Sequence, residues 1–231
     1  MNKISIIIPT WERVDMTLRS FSKVYDDERI YKIIIVDDCS SDGVYNELVN
    51  RTKDLNKINL YRNDVNLDAN KNKMKSVSLS PTDYCILLDS DNEIDIEYID
   101  KIYEQTWAED TILQPTFAKP LFDFRILNGL IVNKQNIMEH IDKHDFDTSL
   151  NGGNYFFNKE KYLSVWDDSI NPYAYDVIYQ NYNWLKAGYN IQYVEGLEYT
   201  HNVHDGSYYI KVSHLNPEFL DELVKKLRNM L

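Results

Sequence analysis

Short β-branched runs recur along the first hundred residues, at Ile4 to Ile8, Lys32 to Asp37, Ile58 to Tyr61 and Tyr84 to Leu88. Between them the apolar positions switch to helical spacing. Val14, Leu18 and Phe21 mark one stripe; Val44, Tyr45, Leu48, Val49, Thr52 and Leu55 mark another, opened by the turn and cap residues Asp42 and Gly43. Strand runs alternating with amphipathic helices predict βαβ units, the α/β class, with a mostly parallel central sheet flanked by helices. A further helix is predicted after Asp95, where Ile96, Ile99, Ile102, Tyr103 and Thr106 recur every three or four positions. Beyond it the pattern loosens. Residues 111 to 150 contain Pro115, Pro120 and Gly129 and read as short strands with a helix near 134 to 142, followed by a loop at Asn151, Gly152 and Gly153. A helix from Ala174 to Ala187, stopped by Gly188, leads into a strand at Tyr189 to Val194. The tail, NPEFLDELVKKLRNML, reads as a capped amphipathic helix with acids in its first turn and bases in its last. No internal repeat or Pro/Gly/Ser linker divides the 231 residues, so one domain is expected.

Composition narrows the function classes. A hydrophobic content of 43% is enough for a proper core, and the net charge of -12, with 25 scattered basic residues, argues against nucleic-acid binding. Cys39 and Cys85 stand far apart beside apolar runs and read as two buried free thiols, which suits a reducing compartment. The opening MNKISIIIPTWER has an apolar run too short, and too soon interrupted by Pro9, for a signal peptide or a transmembrane segment. A cytoplasmic protein is expected. In the tail, Phe219, Leu220, Leu223, Val224, Leu227, Met230 and Leu231 form a stripe that must be covered by this domain, by a second subunit in a homo-oligomer, or by a membrane surface. Its few bases, Lys225, Lys226 and Arg228, favour protein packing.

The chemistry gathers at ILLDSDNEID, residues 86 to 95, where an apolar run ends in Asp89, Asp91, Glu93 and Asp95. Like charges this close raise one another's pKa unless something positive joins them. An EF-hand loop starting at Asp89 would need glycine at its sixth position, where Ile94 stands, and a helix before it. An Asp-x-Asp phosphatase of the haloacid dehalogenase type usually carries its motif on the first strand, whereas this one ends the fourth. The remaining reading is a site for a nucleoside diphosphate, in which Asp89, Ser90 and Asp91 meet Mg²⁺ or Mn²⁺ and the phosphates complete the shell. Glu93 and Asp95 read as caps of the following helix.

Three stretches then fall into the order of a known family. SIIIPTWER, IIIVDDCSSDG and ILLDSDNEID resemble the opening strand, second strand and Asp-x-Asp strand of the family 2 glycosyltransferases, which have the Rossmann-like GT-A fold. The run NPYAYDVIYQNYNWLKAGYNIQYVEGLEYTH resembles the family's acidic-helix, Gly-Tyr and terminal-His stretch. The resemblance implies one GT-A domain, with residues 1 to 100 as the nucleotide-sugar half, 101 to 215 as the acceptor half and 216 to 231 as the C-terminal helix. It implies a nucleobase pocket at Pro9, Thr10, Trp11 and Asp38, with Trp11 stacking and Asp38 accepting from a ring N–H, hence a UDP- or dTDP-sugar donor. Lys71 is matched to the family's basic residue for base or diphosphate, although Asp68 stands where its glycine is common.

The resemblance further implies inversion at the anomeric carbon, with the acceptor hydroxyl of a glycan deprotonated by an Asp at a helix start. Asp176 in YAYDVIYQ matches that base, with Tyr175 where Glu is usual; Asp167 and Asp168 are the next candidates. His201, thirteen residues after Gly188, matches a His that completes the family's metal shell, and His204 follows it. Asn154 and Tyr155, after the two glycines, resemble the loop beneath donor sugar and acceptor. Competing readings remain at this stage: a catalytically inactive sugar- or nucleotide-binding module of the same fold, and a phosphatase or nucleotidyltransferase.

Overall fold

The structure is a computed structural model that describes residues 2–143, 146–204 and 206–230. Its strands are β1 (Ile4–Thr10), β2 (Ile30–Asp37), β3 (Ile58–Arg62), β4 (Tyr84–Leu87), β5 (Thr111–Lys119), β6 (Phe122–Asp123), β7 (Ile131–Val132), β8 (Phe156–Asn158) and β9 (Asn190–Thr200). They form one sheet in the order β3-β2-β1-β4-β8-β5-β9-β7, with β6 paired to β5. The helices are α1 (Val14–Ser20), α2 (Asp42–Thr52), α3 (Asp68–Ser78), α4 (Ile96–Tyr103), α5 (Phe146–Leu150), α6 (Lys159–Ser164), α7 (Asp176–Lys186), α8 (Tyr208–Val212) and α9 (Pro217–Arg228).

The first four strands run parallel, as the alternating pattern predicts, because each is joined to the next through a helix. Alternation along β1 and β2 builds two cores. Ile7, Ile34 and Val36 face one layer; Ile4, Ile6, Ile8, Ile33 and Ile35 face the other. Leu48 of α2 and Tyr98, Ile99 and Ile102 of α4 cover the second layer, whereas Val77 of α3 and Ile178, Trp184 and Leu185 of α7 cover the first.

The second half departs from the sequence pattern in four places. The sheet is mixed there: β8 inserts antiparallel between β4 and β5, and β7 lies antiparallel to β9. The strands around Pro115 are one nine-residue strand, because the register shifts between Pro115 and Phe117 and the bulge accommodates a residue without an N–H. The helix expected near 134 to 142 is a set of turns with a single 3₁₀ turn at Ile137–Glu139, whose Ile137 and Ile141 plug into the core from a non-helical path. The strand after Gly188 also runs farther than the hydrophobic run suggests, through Gly196 at φ 75°.

Phe219, Leu223, Leu227 and Met230 are buried in the first core layer, with the Phe219 ring edge-on to Tyr179 at 5.6 Å. The apolar stripe of α9 is thus covered within the chain, and no second subunit is needed to hide it; Leu231 lies outside the described residues. Leu223→Ala is expected to destabilise the fold by about 2–5 kcal/mol through the cavity it leaves, lowering the melting temperature by roughly 4 °C or more. An unchanged melting temperature would show that α9 does not dock in this way. Among the described residues no helix is long and apolar enough to cross a membrane, and both cysteines are free, Cys85 buried and Cys39 partly so.

Candidate active site

The carboxyl ends of β1, β2 and β4 come side by side, as expected where a parallel sheet offers a ligand crevice. Two of these ends turn through left-handed residues that are not glycine, Glu12 at φ 55° and Cys39 at φ 60°. Such positions are unfavourable for residues with a Cβ and persist where surrounding bonds over-determine them. Here Glu12 N–H donates to Ser40 Oγ (2.7 Å) and the Ser41 N–H donates back to Glu12 Oε1 (2.5 Å).

Asp38 is buried beside this junction. Its Oδ1 accepts from Asn63 Nδ2 (2.7 Å) and from the Leu67 N–H (2.9 Å), while Asn63 also donates to Asn72 of α3. Oδ2 accepts no hydrogen bond among the described residues. Burial pushes the Asp38 carboxyl above the usual carboxylate range, partly offset by the Leu67 and Asn63 donors. Trp11 is 45% exposed, and Lys211 Nζ from α8 stands 5.6 Å from its ring centroid. Pro9 is half-buried, and Thr10 is buried with its hydroxyl bonded to Thr17 (2.7 Å).

At the end of β4 the two motif acids part company. Asp91 Oδ2 meets Arg13 Nη1 at 2.6 Å and His204 Nε2 at 3.2 Å, and Arg13 Nη2 continues to the Gly206 carbonyl at 2.7 Å. Asp89 instead faces Lys73 Nζ at 3.4 Å, and its N–H donates to Asn154 Oδ1 at 2.7 Å. Ser90 between them is buried. The glycines before Asn154 have a steric reason: a Cβ on Gly153 would lie 3.2 Å from Asp89 Oδ2. Asn154 itself is left-handed at φ 62°, with its carbonyl accepting from the Tyr98 hydroxyl.

Asp176 enters from the other half of the sheet, in the first turn of α7. It is buried, and its Oδ2 lies 2.8 Å from the same Lys73 Nζ that faces Asp89. The alternative acids are elsewhere: Asp167 accepts from the Tyr179 hydroxyl (2.6 Å) and Asp168 is exposed. Tyr175, where the family has Glu, is buried against Tyr209 and Phe219 and so anchors α8 and α9.

Two expectations change with the fold. Lys71 is exposed on α3 while Lys73 turns inward, because positions two apart point to different sides of a helix. His201 packs edge-on against Phe122, ring centroids 5.3 Å apart, whereas the chain after β9 carries His204 to Asp91. Arg13, Lys73 and Lys211 are the site residues that sequence reasoning did not single out for a role there. Arg13 stands inside the quoted SIIIPTWER run; Lys73 and Lys211 carry no such signal.

A Rossmann-like sheet with an acidic strand end, crossed by an acid from a second, mixed half, defines the GT-A glycosyltransferase fold. The family model for glycosyl transferase family 2 matches residues 5–150, and the chain belongs to that family. This sets aside the phosphatase and nucleotidyltransferase readings. S. aureus TarS 1–349 in complex with UDP-GlcNAc aligns with TM-score 0.73 and 13% identity over 99% of this chain and 66% of that chain. A second S. aureus TarS 1–349 structure gives 0.67 and 12%, with 99% and 65% covered, and S. aureus TarS gives 0.63 and 16%, with 99% and 43% covered. At such identities the likeness is one of fold, and the chain spans less than two thirds of the length of each. No curated protein matches the sequence.

Proposed function

We propose that the protein transfers a sugar from a UDP- or dTDP-sugar to an acceptor hydroxyl, on a glycan, with inversion at the anomeric carbon and with the help of a divalent ion. The observation that carries this reading is the meeting of Asp176 and Asp89 at one buried ammonium, which brings a candidate base to the strand end suited to a diphosphate. Trp11 offers an exposed face for the base, and Asp38 Oδ2 an acceptor for its ring N–H. That the fold neighbour TarS was crystallised with UDP-GlcNAc supports a uridine donor.

A divalent ion fits the residues at Asp91 once Arg13, whose Nη1 lies 2.6 Å from Oδ2, turns aside. That Oδ2 and His204 Nε2 lie 3.2 Å apart, a spacing expected of adjacent ligands on one six-coordinate ion. Among the described residues no group of three or more acidic, His or Cys side chains gathers, so phosphate oxygens and water must supply the rest. Asp91 and His204 would hold the ion, with Asp89 facing the diphosphate beside them; one imidazole in the set favours Mn²⁺ over the strictly oxygen-seeking Mg²⁺. The ion, when bound, stabilises the negative charge of the departing diphosphate.

The chain's own residues do the rest. Trp11 and Asp38 fix the nucleoside, and the Gly152–Asn154 loop lines the floor of the site beside Asp89. The acceptor oxygen attacks the anomeric carbon as the bond to the diphosphate oxygen breaks and its electron pair leaves with the nucleotide. The acceptor's proton passes to the Asp176 carboxylate.

The test is a screen of UDP- and dTDP-sugars with MnCl₂, read as nucleotide release and as the rise in melting temperature a bound ligand produces. Release from a uridine or thymidine donor is expected. A donor that stabilises the protein without release would make it a binding module of the same fold, and stabilisation only by guanosine or adenosine donors would overturn the base assignment. Trp11→Ala is expected to weaken UDP binding about tenfold by calorimetry, since stacking a base on an aromatic ring contributes roughly 1–3 kcal/mol. Its melting temperature should not move, because the ring is half in solvent.

A further inference from the structure

Lys73 is a buried lysine, and burial alone would favour its neutral form. Burial lowers its pKa, but the charges of Asp176 and Asp89 more than offset this, and its pKa is raised overall. The ammonium therefore stays charged between two acids that belong to opposite halves of the sheet, Asp176 at 2.8 Å and Asp89 at 3.4 Å. An ion pair this deep is weak evidence of stabilisation, since an apolar side chain of similar size is often as good. The geometry fits a role in the reaction better.

Lys73 Nζ stands 2.8 Å from Oδ2 of Asp176, an ion-pair contact rather than an aligned hydrogen bond, while among the described residues neither an ion pair nor a hydrogen bond engages Oδ1, which leaves that oxygen for the acceptor hydroxyl. The side chain of Asp176 sits at a helix start, where its neighbours Tyr175 and Val177 pack into the core and cannot orient a carboxylate. Lys73 supplies that orientation. The second acid completes the logic: when Asp176 has taken the acceptor's proton and is neutral, Asp89 still pairs with the ammonium, so no uncompensated charge is left buried.

We propose that Lys73 is a positioning residue that holds the Asp176 carboxylate in register with the diphosphate site by bridging it to Asp89. This rests on Asp176 being the base, and the two ideas fail separately. With the donor chosen by the release screen, Lys73→Met is expected to lower kcat roughly tenfold or more while the donor Kd, measured by calorimetry with MnCl₂, moves less than about threefold. In the Asp176→Asn background, adding Lys73→Met should lower kcat by no more than about twofold, because residues that act as a unit are not additive. A purely structural lysine would instead lower the melting temperature and leave kcat per folded molecule unchanged. Full kcat in folded Lys73→Met, or the same fold loss in both backgrounds, overturns the proposal. So does a loss confined to donor Kd, which would put Lys73 on the diphosphate. If Lys73→Met does not fold, Lys73→Gln is measured in its place; if neither folds, Lys73 is a stabilising partner only and the positioning role falls. Wild-type turnover by Asp176→Asn removes the base reading itself, whatever Lys73 does.

Discussion

Asp176→Asn is expected to lower turnover of the nucleotide-sugar donor by roughly a hundredfold or more, with donor and Mn²⁺ affinities held within about threefold. The substitution keeps the size and shape of the side chain and removes its ability to take a proton. Lys73 retains Asp89 as a partner, so the fold should survive. Asp168→Asn serves as the control: that residue is exposed and has no place in the cluster, so its turnover should match the wild type. If the two substitutions ranked the other way, the assignment of the whole second half of the site would be wrong. A collapse of the melting temperature in Asp176→Asn would mean instead that the Lys73 ion pair serves stability.

Withdrawal of the divalent ion should have the other large effect. Asp89 and Asp91 are the acids of that run that face the site, and a diphosphate brought beside them without a divalent ion meets more negative charge than Arg13 and Lys73, already paired to them, can answer. UDP affinity by calorimetry is expected to fall about a hundredfold or more in chelator, equivalent to roughly 2.7 kcal/mol. Asp91→Asn should reproduce most of that loss. His204→Ala should weaken Mn²⁺ about tenfold, whereas His201→Ala should leave it unchanged because that ring packs on Phe122. Equal UDP affinity with and without chelator would falsify the metal role and leave Arg13, already 2.6 Å from Asp91, as the charge that answers the acid.

Much of the donor side was legible because strands of a parallel sheet announce themselves locally. Each β-branched run of the first hundred residues became a strand with the expected direction, and the acids that end β2 and β4 stand at the crevice. The first helix was legible from three apolar positions, since Val14 and Phe21 are buried and Leu18 packs against the same layer. In the second half local pattern and global fold diverge. β8 is three residues long, and its place between β4 and β5 depends on pairings with segments far away in the chain, which no local periodicity records.

The sequence by itself determined the α/β class, the first four strands and their parallel direction, the acidic motif at a strand end and Asp176 in the first turn of a helix. These follow from side-chain periodicity and cap chemistry, which act over a few residues. Only the tertiary structure decided which cation and which imidazole serve the acids. Lys71 and Lys73 differ by two positions on one helix, and the rotation at which α3 docks on the sheet turns the second inward and leaves the first in solvent. His201 and His204 differ by three, and the end of β9 at Thr200 leaves the path of the following chain free of strand geometry, so packing on Phe122 takes one and Asp91 takes the other. In each case the deciding quantity is the placement of a whole element against another, which depends on contacts between residues distant in the chain.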